Sequence, residues 1–171
     1  MKAYELEIKL VGSKPLIWRK IIVPNTFTLT RLHKVIQIAM DWVDYHDYEF
    51  SAGKTNLVQS RHLEEIFSVR KSIEYVYDFG DYWEIKITKT KEIGDCSHNY
   101  PIITEYAEDS PPEDCGGIYG YYNMLKILSN PKHKEYENIK YWYEEIAYGG
   151  KFNLEIANKR LAKMAPVTKK E

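Results

Sequence analysis

At 171 residues, with 44% apolar side chains and a net charge of −1, the chain is long enough to bury a core without staples and too apolar to be disordered by composition. Near-neutrality removes any global attraction to nucleic acid or anionic lipid, and no basic stripe or recognition module stands in for it. The longest apolar runs, such as Ile21-Ile22-Val23, fall far short of the roughly 20 residues of a membrane helix, and the N-terminus alternates charged with apolar groups, so a cytoplasmic protein with no membrane partner is expected.

The first predicted element is a strand. Tyr4, Leu6, Ile8 and Leu10 alternate with Glu5, Glu7 and Lys9, which gives one dry and one wet face. Gly12-Ser13-Lys14-Pro15 supplies a turn, and Ile17 to Val23 returns as a second strand ending at Pro24. Thr28 is placed as the N-cap of a helix whose Leu29, Leu32, His33, Ile36 and Met40 recur at helical spacing. A short strand follows over His46–Ser51, then a short helix with Leu63 and Ile66, for which Ser60 is the expected cap. Ile73–Tyr77 and Trp83–Thr88 read as two strands joined through Asp78-Phe79-Gly80-Asp81. Gly94 to Ser110 reads as polar and irregular.

The remainder reads as helical. One helix is expected over Tyr121–Leu128. A second is capped at Asn130-Pro131, carries Tyr136, Ile139, Tyr143 and Ile146, and stops at Gly149-Gly150. A third is capped by Asn153 and carries Leu154, Ala157, Leu161 and Met164. The order predicts an α+β fold: an antiparallel or mixed sheet with a helix packed across one face, a β-grasp-like ββαβ start, and a helical C-terminal part. One domain is expected over 1–165, with 166–171 a frayed tail.

Few motifs carry chemistry. Asp78-Phe79-Gly80 spells a kinase metal-binding tripeptide but lacks the Gly-rich loop and catalytic loop that would give it meaning. Cys96 and His98 form a C-x-H pair, with Cys115 farther on, but no paired zinc spacing completes it, so no metal site is assigned. Both cysteines are expected as free thiols in a reducing compartment. Cys115 opens a Gly-rich helix start that would lower a thiol pKa, whereas Glu113 and Asp114 beside it would raise it. His33, on the apolar face of its helix, reads as a hydrogen-bonded core histidine.

Four segments together carry a family resemblance: Pro15-Leu16-Ile17-Trp18-Arg19-Lys20-Ile21-Ile22-Val23-Pro24, Thr28-Leu29 with Leu32-His33 and Ile36-Gln37, Tyr77-Asp78-Phe79-Gly80-Asp81-Tyr82-Trp83, and Pro111-Pro112-Glu113-Asp114-Cys115-Gly116-Gly117 with Gly120-Tyr121. From about Tyr4 to Leu161 the chain is similar to the plasmid pRi ORF-three-like family, also labelled TnpR-like, of plasmids and mobile elements. The resemblance implies an uncharacterised protein. The resolvase label has no support, since neither the catalytic serine nor the Arg-His-Arg set of a recombinase can be found. Where many relatives carry histidines this chain has Tyr48 and Ile85, and where they carry a cysteine and a glycine it has Ile103 and Tyr106. His46, Asp78, Asp81, Glu113, Asp114 and Cys115 match the family pattern.

The sequence therefore favours a non-enzymatic binding domain with a protein or small-molecule partner, and it names no cofactor. The candidate surface joins Asp78, Asp81 and Trp83 to Glu113, Asp114, Cys115, Gly116, Gly117 and Tyr121, with His46 alongside. The Asp78–Trp83 turn and the Glu113–Gly117 loop are expected as neighbours, because carboxylates in one would satisfy backbone NH groups of the other. The alternatives are a metal-dependent enzyme with Asp78, Asp81 and Glu113 as ligands, and a DNA-associated accessory protein of a mobile element.

Overall fold

The computed structural model describes residues 1–147 and 151–164. The chain runs β1 (Ala3–Leu10), β2 (Trp18–Pro24), α1 (Leu29–Ala39), β3 (Tyr48–Ala52), β4 (Thr55–Asn56), α2 (Leu63–Phe67), β5 (Ser72–Tyr77), β6 (Trp83–Ile93), β7 (Ile102–Ala107), α3 (Gly117–Leu128), α4 (Tyr136–Tyr141), a π-helical turn (Trp142–Ile146) and α5 (Leu154–Ala162). The fold is α+β, and the ββαβ start is present. The strands form one sheet of order β4-β3-β5-β6-β1-β2-β7. Every pairing is antiparallel, with Leu6 opposite Ile21 and Ile8 opposite Ile87 near the centre.

Period-two alternation decides the faces. Leu6, Ile8 and Leu10 of β1, Ile21 and Val23 of β2, Ile73 and Tyr75 of β5 and Ile85 and Ile87 of β6 are all buried. The α1 stripe Leu29, Leu32, Val35 and Ile36 joins the same core. Thr28 caps α1 by accepting from the Arg31 NH at 3.3 Å, and Asn153 caps α5 by accepting from the Ile156 NH at 3.0 Å. His33 is the hydrogen-bonded core histidine expected: Nδ1 meets the Tyr75 hydroxyl at 2.8 Å and Nε2 meets Asp44 at 2.6 Å. Burial lowers its pKa against the opposing pull of Asp44.

The same alternation turns Arg19 inward from β2, where it is fully buried. Its guanidinium donates to the carbonyls of Ala39 (3.0 Å), Trp18 (2.8 Å) and Ala107 (2.9 Å) and to the Ser110 hydroxyl (2.9 Å). It also lies 4.1 Å from the Phe152 ring centroid. One cation thus ties β2 to α1, to the end of β7 and to the segment before α5. Burial pulls its pKa down to about 10, with Asp109 opposing.

Several local expectations are corrected. Residues 94–110 contain β7, an edge strand of which only Ile103 is buried in the core. The cap position of α2 is His62, not Ser60. Helix α3 starts at Gly117, four residues earlier than Tyr121. Asn130-Pro131 begins a run of turns, and the helix starts at Tyr136. The Gly149-Gly150 stop and the 166–171 tail lie outside the described residues.

Both sheet edges are protected. β4 is only two residues long. On β7, the Asn158 side chain of α5 accepts from the Ile103 NH (2.8 Å) and donates to the Ile103 carbonyl (2.9 Å), as a neighbouring strand would.

Candidate functional site

Three segments meet at the corner beyond β5. The first runs from Asp41 to Asp47 between α1 and β3, the second is the Asp78–Tyr82 turn, and the third is the Pro111–Gly117 approach to α3. Each needs left-handed backbone, and aspartate supplies it: Asp41, Asp44, Asp78 and Asp114 all have φ between 54° and 64°. Asp78 fixes its own turn by accepting from the Gly80 NH at 2.9 Å, while its NH donates to the Asp47 carbonyl at 2.9 Å.

The turn and the loop are neighbours. Asp81 accepts from the Gly116 NH at 3.1 Å, at the start of α3, where a carboxylate also gains from the helix dipole. The contact is tight: a Cβ on Gly117 would lie 2.3 Å from the Asp81 carbonyl oxygen. Glu113 bridges the other way. One of its oxygens accepts from the Val43 NH at 2.7 Å, and the other accepts from the Tyr77 hydroxyl. Tyr77 in turn accepts from the Tyr45 NH at 3.1 Å. Burial and the Glu113 charge push the Tyr77 pKa well up.

An aromatic stack underlies the corner. Trp42 stacks on Tyr77 with ring centroids 5.0 Å apart, approaches Trp83 at 5.9 Å, and donates its indole NH to the Pro111 carbonyl at 3.0 Å. Trp83 is fully buried beneath the turn and Tyr121 is buried in the core, so of the residues named from sequence these two support the corner from below.

His46 stands edge-on to Tyr77, with centroids 5.8 Å apart. Its Nε2 lies 3.2 Å from Asp114 Oδ1 and 3.6 Å from Asp78 Oδ2. Neither contact has hydrogen-bond geometry, so Nε2 is buried within ion-pair distance of two carboxylates but without a hydrogen bond. These three residues converge, with ligand atoms all within 4.8 Å of one another. The set named for the metal-enzyme alternative, Asp78, Asp81 and Glu113, does not: Asp81 serves the α3 start and Glu113 holds Val43 and Tyr77. Cys115 is no activated nucleophile. Burial first, then the Asp81 and Asp114 charges, push its thiol up to about 12. Cys96 and His98 join no group of three ligating side chains among the described residues.

Beside the corner, between α3 and the helical turns after it, lies a cavity of about 280 Å³. Met124, Ile127, Ile139 and Trp142 line it, together with Asp114 and Cys115. Sequence reasoning missed this cavity and the part of Tyr45 in the corner. The stripe of Ile139 with Tyr143 was visible, but not that it leaves a gap against α3.

The chain is similar over most of its length to known proteins. A family model described as plasmid pRiA4b ORF-3-like protein matches residues 2–160. The chain belongs to this family. An uncharacterised protein of Sinorhizobium fredii, y4hQ, is 31% identical to this pRiA4b ORF-3-like protein, over 80% of this chain and 78% of that one. The crystal structure of MM3350 from Methanosarcina mazei, a protein of unknown function, is 34% identical and superposes with a TM-score of 0.81, covering 91% of this chain and 97% of that one. The family is one of unknown function. Among the described residues no helix is long and apolar enough to cross a membrane.

Proposed function

We propose that this pRiA4b ORF-3-like protein is a non-enzymatic cytoplasmic interaction domain, and that the corner and its cavity receive an extended segment of a partner protein. The observation that carries this is the apolar cavity of about 280 Å³ opening beside Asp114. That volume lies at the bottom of the roughly 300–1,000 Å³ range of sites that enclose a drug-sized ligand. It suits one anchoring side chain, the element on which protein interfaces concentrate their affinity. Tyr45, Phe79, Tyr82 and Tyr119, from all sides of the corner, each expose more than half of their surface, and such rings suit the contact area around an anchor. The raised Cys115 thiol supports a binding role over nucleophilic catalysis, and unpaired Cys96 and Cys115 support a reducing compartment.

The test is selection of a displayed random-peptide library on the full chain. Peptides with a single large apolar or aromatic anchor are expected to enrich. Asn123 is exposed and lines the cavity, so Asn123→Trp fills it at no cost to the core. Those peptides should lose binding to Asn123→Trp. Enrichment of no peptide, or of peptides that bind Asn123→Trp equally well, overturns the proposal.

A further inference from the structure

We propose that His46, Asp78 and Asp114 bind a divalent first-row metal ion. The three come from three different segments, so their convergence is a product of the fold and not of a local acidic run. His46 Nε2 is the decisive atom. It is buried, it has no hydrogen bond, and it faces both carboxylates. Asp78 is itself 7% exposed, and His46 is the one basic group within ion-pair distance of Asp78 or Asp114 among the described residues. A buried carboxylate and an orphaned imidazole nitrogen are both satisfied by one cation placed between them.

The spacing fits. At metal–ligand distances of about 2.1 Å, neighbouring ligand atoms stand about 3.0 Å apart in an octahedral site and about 3.4 Å apart in a tetrahedral one. The observed separations from Nε2 are 3.2 and 3.6 Å. One imidazole with two carboxylates is an N/O donor set that suits Zn²⁺, Mn²⁺, Fe²⁺ or Co²⁺ better than Ca²⁺. Three protein ligands leave positions open for water or for an oxygen donor of a bound molecule. Asp114 also lines the cavity, so a metal-bound group and an anchor in the cavity would share one rim. The inference does not rest on the peptide reading, and either can fail without the other.

Chelator-treated full chain is titrated with Zn²⁺ and with Mn²⁺ by calorimetry, with melting temperature as a second readout. One ion per chain is expected, with a raised melting temperature. Asp114→Asn is the safest variant, because Asp114 is exposed and Asn tolerates its left-handed backbone. Asp114→Asn and His46→Gln should each weaken binding tenfold or more, while the double variant Cys96→Ser/His98→Gln should bind as the parent does. Co²⁺ loading should give ligand-field absorption without a thiolate charge-transfer band. Absence of saturable binding at millimolar metal, indifference to Asp114→Asn and His46→Gln, loss in the Cys96/His98 variant, or a thiolate band would each overturn the proposal.

Discussion

Gly117→Ala should be among the most damaging single-methyl additions to this protein. Two penalties act there. Gly117 has φ +65°, which costs a residue with a Cβ about 1–2 kcal/mol. The added Cβ would also sit 2.3 Å from the Asp81 carbonyl oxygen, a backbone atom that cannot swing aside. Overpacking of that kind costs about 1–3 kcal/mol, which gives about 2–5 kcal/mol in all. Two glycines separate the terms. Gly53 has φ +62° but nothing within 4 Å of its Cβ position, so Gly53→Ala isolates the backbone cost. Gly120 lacks the positive φ, but its Cβ would lie 1.9 Å from the Cys115 carbonyl oxygen, so Gly120→Ala isolates the clash, less the roughly 1 kcal/mol that Ala gains over Gly inside a helix. Urea unfolding at constant m ranks the three. Gly117→Ala is expected to lose at least about 1 kcal/mol more than Gly53→Ala. Equal losses would mean that the approach of α3 to the Asp78–Tyr82 turn is not a rigid constraint, and the account of the corner would be wrong.

Arg19→Ala removes the shared donor of three carbonyls and, at about 1–3 kcal/mol for each buried group left unsatisfied, should lower unfolding free energy by more than about 3 kcal/mol. Arg19→Lys should not restore it, because an ammonium lacks the planar fork, and a near-parental melt for Arg19→Lys would contradict this. Because the folded pKa of His33 lies below its unfolded value of about 6.5, the unfolded chain binds the proton first as pH falls; this residue's contribution is complete above that value and is lost as pH drops through the folded pKa. His33→Gln should therefore flatten the decline of stability below pH 6.5, and identical pH–stability slopes for variant and parent would refute it. With a thiol pKa near 12, Cys115 at pH 8 holds about 10³-fold less thiolate than an ordinary cysteine, so native alkylation should label Cys96 fast and Cys115 slowly, with both free on unfolding. Equal native rates, or no titratable thiol, would count against this.

Strong alternation and caps made most of the framework legible. β1, β2, α1, β5 and α5 follow from Tyr4 to Leu10, Ile17 to Val23, Thr28, Ile73 to Tyr77 and Asn153. β7 escaped because it is an edge strand: Thr104, Glu105 and Tyr106 meet solvent, so only Ile103 marks a buried face. Arg19 could have been found, since it lies in step with Ile17 and Ile21. The meeting of Asp81 with Gly116 followed from matching unmet hydrogen-bond needs. The convergence of His46 on Asp78 and Asp114 did not, because it depends on how β3 pairs with β5 and on where α3 docks, which no local pattern encodes. The cavity was illegible for a related reason: sequence periodicity reports which side chains turn inward, not whether they fill the space they face.

The Asn158 amide that bonds both backbone groups of Ile103 has a consequence for the crowded cell. A six-residue edge strand with free NH and carbonyl groups is a template on which another chain can polymerise. Here the template is closed at one end by a side chain posing as a strand, and at the other by a strand too short to seed growth. At Ile103 an incoming strand would have to displace that amide before it could extend the sheet. Asn158→Ala would reopen the edge, so any gain in self-association at high concentration would trace to a single amide.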